Sequence, residues 1–187
     1  MVPHDHNFDF LTVGYFGPGY ETLIYEYDYS QVVGKIGEKI KMRLLERTQL
    51  DYGKIMLFRA GKDIHNQYHP KSLSISINLL VSSPEVPLRE QFYFDLDKEE
   101  ISGYVETNSS VRSMLIQLAE FVGDQNTCSI LEILSKEHPN HRTRGSSLLA
   151  LARLSPMDAE SFWRRGLTDQ HAYVKSMSKR ELESLVL

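Results

Sequence analysis

The sequence predicts an α+β fold, an N-terminal antiparallel β-barrel or sandwich followed by a C-terminal helical half, and two observations carry that reading. The hydrophobic period changes from two to helical near residue 107. The helical half then repeats itself at an offset of 31 residues.

The strand signals come in order. Leu23, Tyr25, Tyr27 and Tyr29 alternate with Ile24, Glu26 and Asp28, which places the tyrosines on one face of a strand. Ile36, Ile40, Met42 and Leu44 alternate with Lys35, Lys39, Lys41 and Arg43, a half-buried pattern that also reads as a short helix. The segments 54–60, 72–81, 90–96 and 101–105 continue the series. Turn chemistry separates them: Gly17-Pro18-Gly19, Asp51-Tyr52-Gly53, Gly61-Lys62-Asp63 and the two prolines between Ser82 and Pro87. After Thr107, Val111, Leu115, Leu118, Ala119 and Val122 recur at helical steps, with Ser109 or Ser110 as the cap and Gly123 as the stop. Further helices are predicted before Pro139, over Ser146–Leu154, over 158–167 and over 171–186.

The boundary divides 187 residues into 1–106 and 107–187. Each part is small for an independent core, so the two are expected to pack on each other. The net charge of -4 averages an acidic first part and a nearly neutral second one. Basic residues in the second part are interleaved with acids, which favours a solvated surface over a nucleic-acid interface. No apolar run reaches bilayer length and the N-terminus lacks the order of a signal peptide, so a cytoplasmic protein without membrane contact is expected. The single cysteine, Cys128, sits in an apolar helical stretch and reads as a structural thiol.

Seven histidines raise the question of a metal site. His4 and His6 form a His-x-His pair, which is a poor scaffold unless that segment adds to the sheet. His65 and His69 follow a strand and a glycine turn, and are the candidate ligands for a divalent iron, manganese or zinc ion, joined by Gln67 or a terminal histidine. Nucleotide-binding glycine loops, nucleophile elbows, Cys-x-x-Cys pairs and His-Glu-x-x-His are missing.

Two resemblances follow from these residues. Gly19, five residues, Tyr25-Glu26-Tyr27, three residues, Gln31 and then Gly37 is spaced like the first motif of the cupins. Gly53, five residues, Arg59-Ala60-Gly61, three residues, His65, three residues and His69 is spaced like their second. The first half therefore resembles a cupin jelly roll in which Tyr25 and Tyr27 stand at histidine positions, Gln31 stands for the glutamate and His65 keeps a ligand position. In the second half, Thr168 to Lys175 and its weaker copy His138 to Arg144 resemble the turn between the helices of HEAT-like repeats. That resemblance implies interaction surfaces.

The leading expectation is thus a ligand-sensing or protein-interaction protein with no required cofactor. Tyr25, Tyr27, Gln31, His65 and Gln67 would meet a small organic ligand, and Trp163, Arg164 and Arg165 a protein partner. Self-association is left open. The alternative is a metal-dependent cupin-like oxygenase or isomerase using His65 and His69.

Overall fold

A computed structural model describes residues 1–185, and its chain divides into two compact units, Met1–Val105 and Glu106–Leu187. The first unit holds eight strands: β1 (Phe10–Phe16), β2 (Glu21–Glu26), β3 (Arg43–Gln49), β4 (Ile55–Phe58), β5 (Asp63–Gln67), β6 (Ile75–Leu80), β7 (Phe92–Asp95) and β8 (Glu100–Tyr104). They form small antiparallel sheets ordered β4-β1-β6, β3-β2-β5 and β7-β8, and among the described residues no closed barrel forms.

Residues 3–6 lie between β5 and β7 and join two of these sheets. His4 exchanges both backbone hydrogen bonds with His65, at 3.2 and 2.9 Å. The Asp5 N–H donates to Phe92 O at 3.2 Å, and Phe94 N–H donates to Pro3 O at 2.9 Å. The layer therefore runs β3-β2-β5, the N-terminal arm, then β7-β8. Side chains alternate across it. One face carries Tyr25, Tyr27 and Ile64 against Phe92, Phe94 and Ile101. On the other, Ile24 packs with Phe10, Leu50, Met56 and Phe58 from the layer containing β1 and β4.

Several predicted strands differ in extent. The stretch from Ile36 to Met42 is a turn followed by extended chain, and β3 starts only at Arg43. The reason is local: Gly37 takes a φ of 84°, and the Glu38 carboxylate accepts the N–H groups of Val33, Gly34 and Lys35. The tyrosine strand ends at Glu26, and Tyr29 lies in a short 3₁₀ turn capped by Asp28. Conversely β5, which lies outside the predicted strand segments, is a strand, because buried Asp63 and His65 find partners inside. Gly19, by contrast, does what its turn requires: φ is 70°, and a Cβ there would come within 1.8 Å of the Leu50 carbonyl.

Among its described residues the second unit has five α-helices: α1 (Asn108–Val122), α2 (Gln125–Glu137), α3 (His141–Leu154), α4 (Ala159–Gly166) and α5 (Ala172–Ser184). Their starts are written in short polar side chains. Thr107 precedes α1 with Ser110 bonding back to its N–H, Asp124 accepts from Thr127 N, and Asn140 accepts from Thr143 N at 2.8 Å. Gly123 ends α1, as its position predicts. Two clusters fill the interior: Ile116, Leu131, Ala150 and Leu151, then Leu148, Ala152, Ala159, Trp163 and Val174.

Arg144 of α3 ties this unit together. Its guanidinium donates to both oxygens of Asp169 at 2.7 and 2.8 Å and to the carbonyls of His138 and Pro139. Burial works to raise the Asp169 pKa, but the Arg144 donors and the His171 N–H outweigh it and the carboxyl sits below its ordinary range. Breaking a buried pair leaves one charge uncompensated. Arg144→Ala is therefore expected to lower stability by about 3–5 kcal/mol. Arg164→Ala, which removes an exposed partner of Glu160, is expected to cost less than about 1 kcal/mol. Urea titrations followed by the fluorescence of Trp163, the sole tryptophan and a buried one, check both.

Candidate metal centre

Strand geometry brings three histidines together. His4 and His6 are two residues apart in the extended arm, so their side chains leave the same face. His65 stands directly opposite His4 as a hydrogen-bonded antiparallel pair, which places its ring on that face as well. The backbone of His6 is fixed by Gly61, whose N–H donates to His6 O at 2.8 Å. The arm is held from its other face by Asp5, a fully buried carboxylate accepting from Phe92 N at 2.6 Å and from the Tyr27 hydroxyl at 2.5 Å.

The three rings converge through Nε2. His6 Nε2 and His4 Nε2 each lie 3.0 Å from His65 Nε2, and one ligand atom from each ring falls within 4.8 Å of the others. Two nitrogens bound at right angles to one ion, each at about 2.1 Å, stand about 3.0 Å apart. His4 Nδ1 lies 2.9 Å from the Val2 carbonyl, to which only an N–H can donate, so His4 Nε2 turns a lone pair inward. His65 Nδ1 lies 3.2 Å from the side-chain nitrogen of Gln67, which donates to it; turning that amide over would present its oxygen to a protonated Nδ1 instead. A neutral His65 has one proton at most, so it cannot donate along both 3.0 Å contacts. His6 Nδ1 is buried with no hydrogen-bond partner.

All three imidazoles are held neutral. Burial pushes His65 down to about 2, assisted by His4 and His6; burial, then His4, pushes His6 down to about 4. His4 is lowered mainly by burial, against the Val2 carbonyl. Three clustered neutral imidazoles are the donor set that zinc, iron or copper takes, with Val2 O behind His4 and the Gln67 amide behind His65. Beside the cluster lies a pocket of about 250 Å³, with Phe8, Phe10 and Leu80 on its walls and Tyr20, Gln67, Ser76 and Asn78 as polar groups. The Tyr20 phenol, raised mainly by burial, sits beside Thr12 and Gln67.

Of the residues singled out from sequence, His65 and Gln67 belong to this centre. His69 does not: it is exposed in the chain after β5, outside the cluster. Tyr27 is a core residue bonded to Asp5, Tyr25 packs half-buried on the same core, and Gln31 is exposed at the end of the 3₁₀ turn. The wider groove beside Tyr27 and Tyr29 is rimmed by charges that include Glu26, Arg43 and Lys62, and Glu26 pairs with both of these cations. Trp163 is 3% exposed and fills the helical core, so it presents nothing to a partner. Arg164 pairs with Glu160, and Arg165 with Glu132 and Ser135. Among the described residues of that unit, α1 carries several exposed large apolar side chains, with Phe121 82% exposed, and Ile130 and Ile133 of α2 and Met157 are exposed as well. The sequence signal for the centre was the His4-x-His6 pair, whose condition of adding to the sheet is met.

No helix among the described residues is long and apolar enough to cross a membrane. No protein-family description, curated protein or solved structure matches the chain.

The unfolded chain protonates these histidines below about 6.5, whereas folded His6 and His65 stay neutral to far lower pH. Acid therefore favours the unfolded state, which binds more protons, and this part of the stability falls as pH drops from 6.5 toward 4. Asp5 acts oppositely, because burial raises it to about 7 and stability gained by its protonation grows between pH 7 and 4. Two histidines outweigh one carboxyl. Metal-free protein is expected to lose about 1.4 kcal/mol per pH unit over that interval. Denaturation at pH 6.5, 5.5 and 4.5 checks this, and His65→Asn should flatten the slope.

Proposed function

We propose that the strand-rich unit is a metal-dependent enzyme in which His4, His6 and His65 hold one divalent transition-metal ion and present it to a small molecule in the adjoining pocket. The observation that carries the reading is the convergence of three neutral Nε2 atoms that their own protons cannot satisfy. A structural zinc site closes its coordination with four protein ligands, while three leave a position for water or substrate. The open side here adjoins a pocket, which supports a catalytic use. A bound ion would act as a Lewis acid on an oxygen donor placed there. On this reading the ligand pair is His4-x-His6, and Tyr25-Glu26-Tyr27, the segment spaced like the first cupin motif, is core. The helical unit keeps its HEAT-like reading as an accessory interaction module.

The ligand set makes the test discriminating. Purified protein stripped by chelator and reloaded with zinc, iron(II) or cobalt(II) is expected to retain one ion per chain. His65→Ala should bind at least tenfold more weakly, while His69→Ala should bind as the natural chain does. Equal retention by all three proteins, measured by elemental analysis after gel filtration, would refute the site.

A further inference from the structure

The pocket deepens this reading, on which it rests. Imidazoles coordinate as neutral donors, so the three found together here bring no charge to a divalent ion and its full double charge stays in the site. The rest of the pocket does not neutralise it. Its lining side chains include no carboxylate, and no lysine or arginine either; its polar groups are the amides of Gln67 and Asn78, the Ser76 hydroxyl and the Tyr20 phenol. The nearest buried carboxylate, Asp5, points to the opposite face of the arm, into the bonds from Phe92 and Tyr27. The Met1 ammonium at the border is engaged by the Gln67 carbonyl at 3.0 Å.

An uncompensated charge between apolar walls is costly, and an anion that coordinates the ion removes that cost. Without an arginine or lysine side chain to hold it, the anion has the metal as its main charged partner, with neutral donors around it and the Met1 ammonium only at the border. The volume, about 250 Å³, lies below the range of drug-sized pockets and suits a metabolite-sized molecule. Phe8, Phe10 and Leu80 offer that molecule an apolar surface, and Asn78 and Ser76 on β6 offer hydrogen bonds to its polar groups.

We infer that the substrate of this centre is a small organic anion, binding the ion directly through its own oxygen and laying an apolar body against Phe8, Phe10 and Leu80. Recognition of its charge then depends chiefly on the metal. A neutral isostere has no comparable partner in the pocket, and metal-free protein has no site for the anion.

The experiment uses the full chain loaded with cobalt(II), whose visible absorption reports ligand exchange, with benzoate and the isosteric neutral benzamide as probes. Cobalt uptake is read before any probe is added, so failure of the metal site, which would overturn both readings, is seen separately from failure of the substrate class. With cobalt bound, benzoate is expected to shift the spectrum with at least tenfold higher affinity than benzamide, and calorimetry should find no benzoate binding to metal-free protein. Equal affinities, or equal benzoate binding with and without metal, would overturn the inference. Asn78→Asp supplies the missing negative charge at the pocket wall. It is expected to keep cobalt and to weaken benzoate at least tenfold, and unchanged benzoate affinity in a cobalt-loaded variant would count against the inference as well. Should that variant not fold, the comparison of benzoate with benzamide in the natural chain decides alone.

Discussion

The strand-rich unit depends on the insertion of residues 3–6 between β5 and β7. Backbone bonds between this arm and His65, Phe92, Phe94 and Gly61 turn two small sheets into one layer. Each such bond is worth only about 1 kcal/mol net, yet an unmade one would leave buried backbone unsatisfied on the strands either side. Asp5 makes the insertion specific. Its carboxylate has two donors waiting in the core, so a shift of the arm by one residue would bury an unpaired charge and turn both histidines to the wrong side. The same contact that closes the sheet thus places the ligands.

The helical unit shows a parallel logic with a different pair. Asn140 and His171 stand at matching positions of the internal repeat, and both cap the second helix of their pair. Arg144 then reaches from the earlier helix to Asp169 in the later turn, fixing one pair against the next. Buried ion pairs add little net stability over apolar packing, but they penalise misplacement strongly. Here the pair sets the register between successive turns, while Leu148, Trp163 and Val174 supply the burial.

Legibility in the sequence followed the range of the interactions. Helix starts and stops were visible because caps act over three or four residues, as at Asp124 and Gly123. Strand β5 was hidden because its polar residues Asp63, His65 and Asn66 give no alternating signal, and its reason for being a strand lies in partners up to 61 positions away. The stretch from Ile36 to Met42 misled in the other direction, since its alternation is overridden by one carboxylate gathering three N–H groups. Trp163 was a reasonable contact by residue type. Nothing within its own helix says which face the remaining helices will cover.

What the sequence determined by itself was the change from strand to helix near residue 107, the helical caps, and a pool of candidate ligands that already contained His4, His6 and His65. Only the tertiary structure decided which of them meet. A histidine becomes a ligand through the direction of its ring and the neutrality imposed by burial, and both arise when an arm from the chain's start pairs with a strand some sixty residues later. Spacing alone pointed to His65 with His69, neighbours in sequence. The hydrogen-bond register of an antiparallel pair joined His65 to His4 instead, because cross-strand partners share a face and the chain beyond β5 does not stay on it.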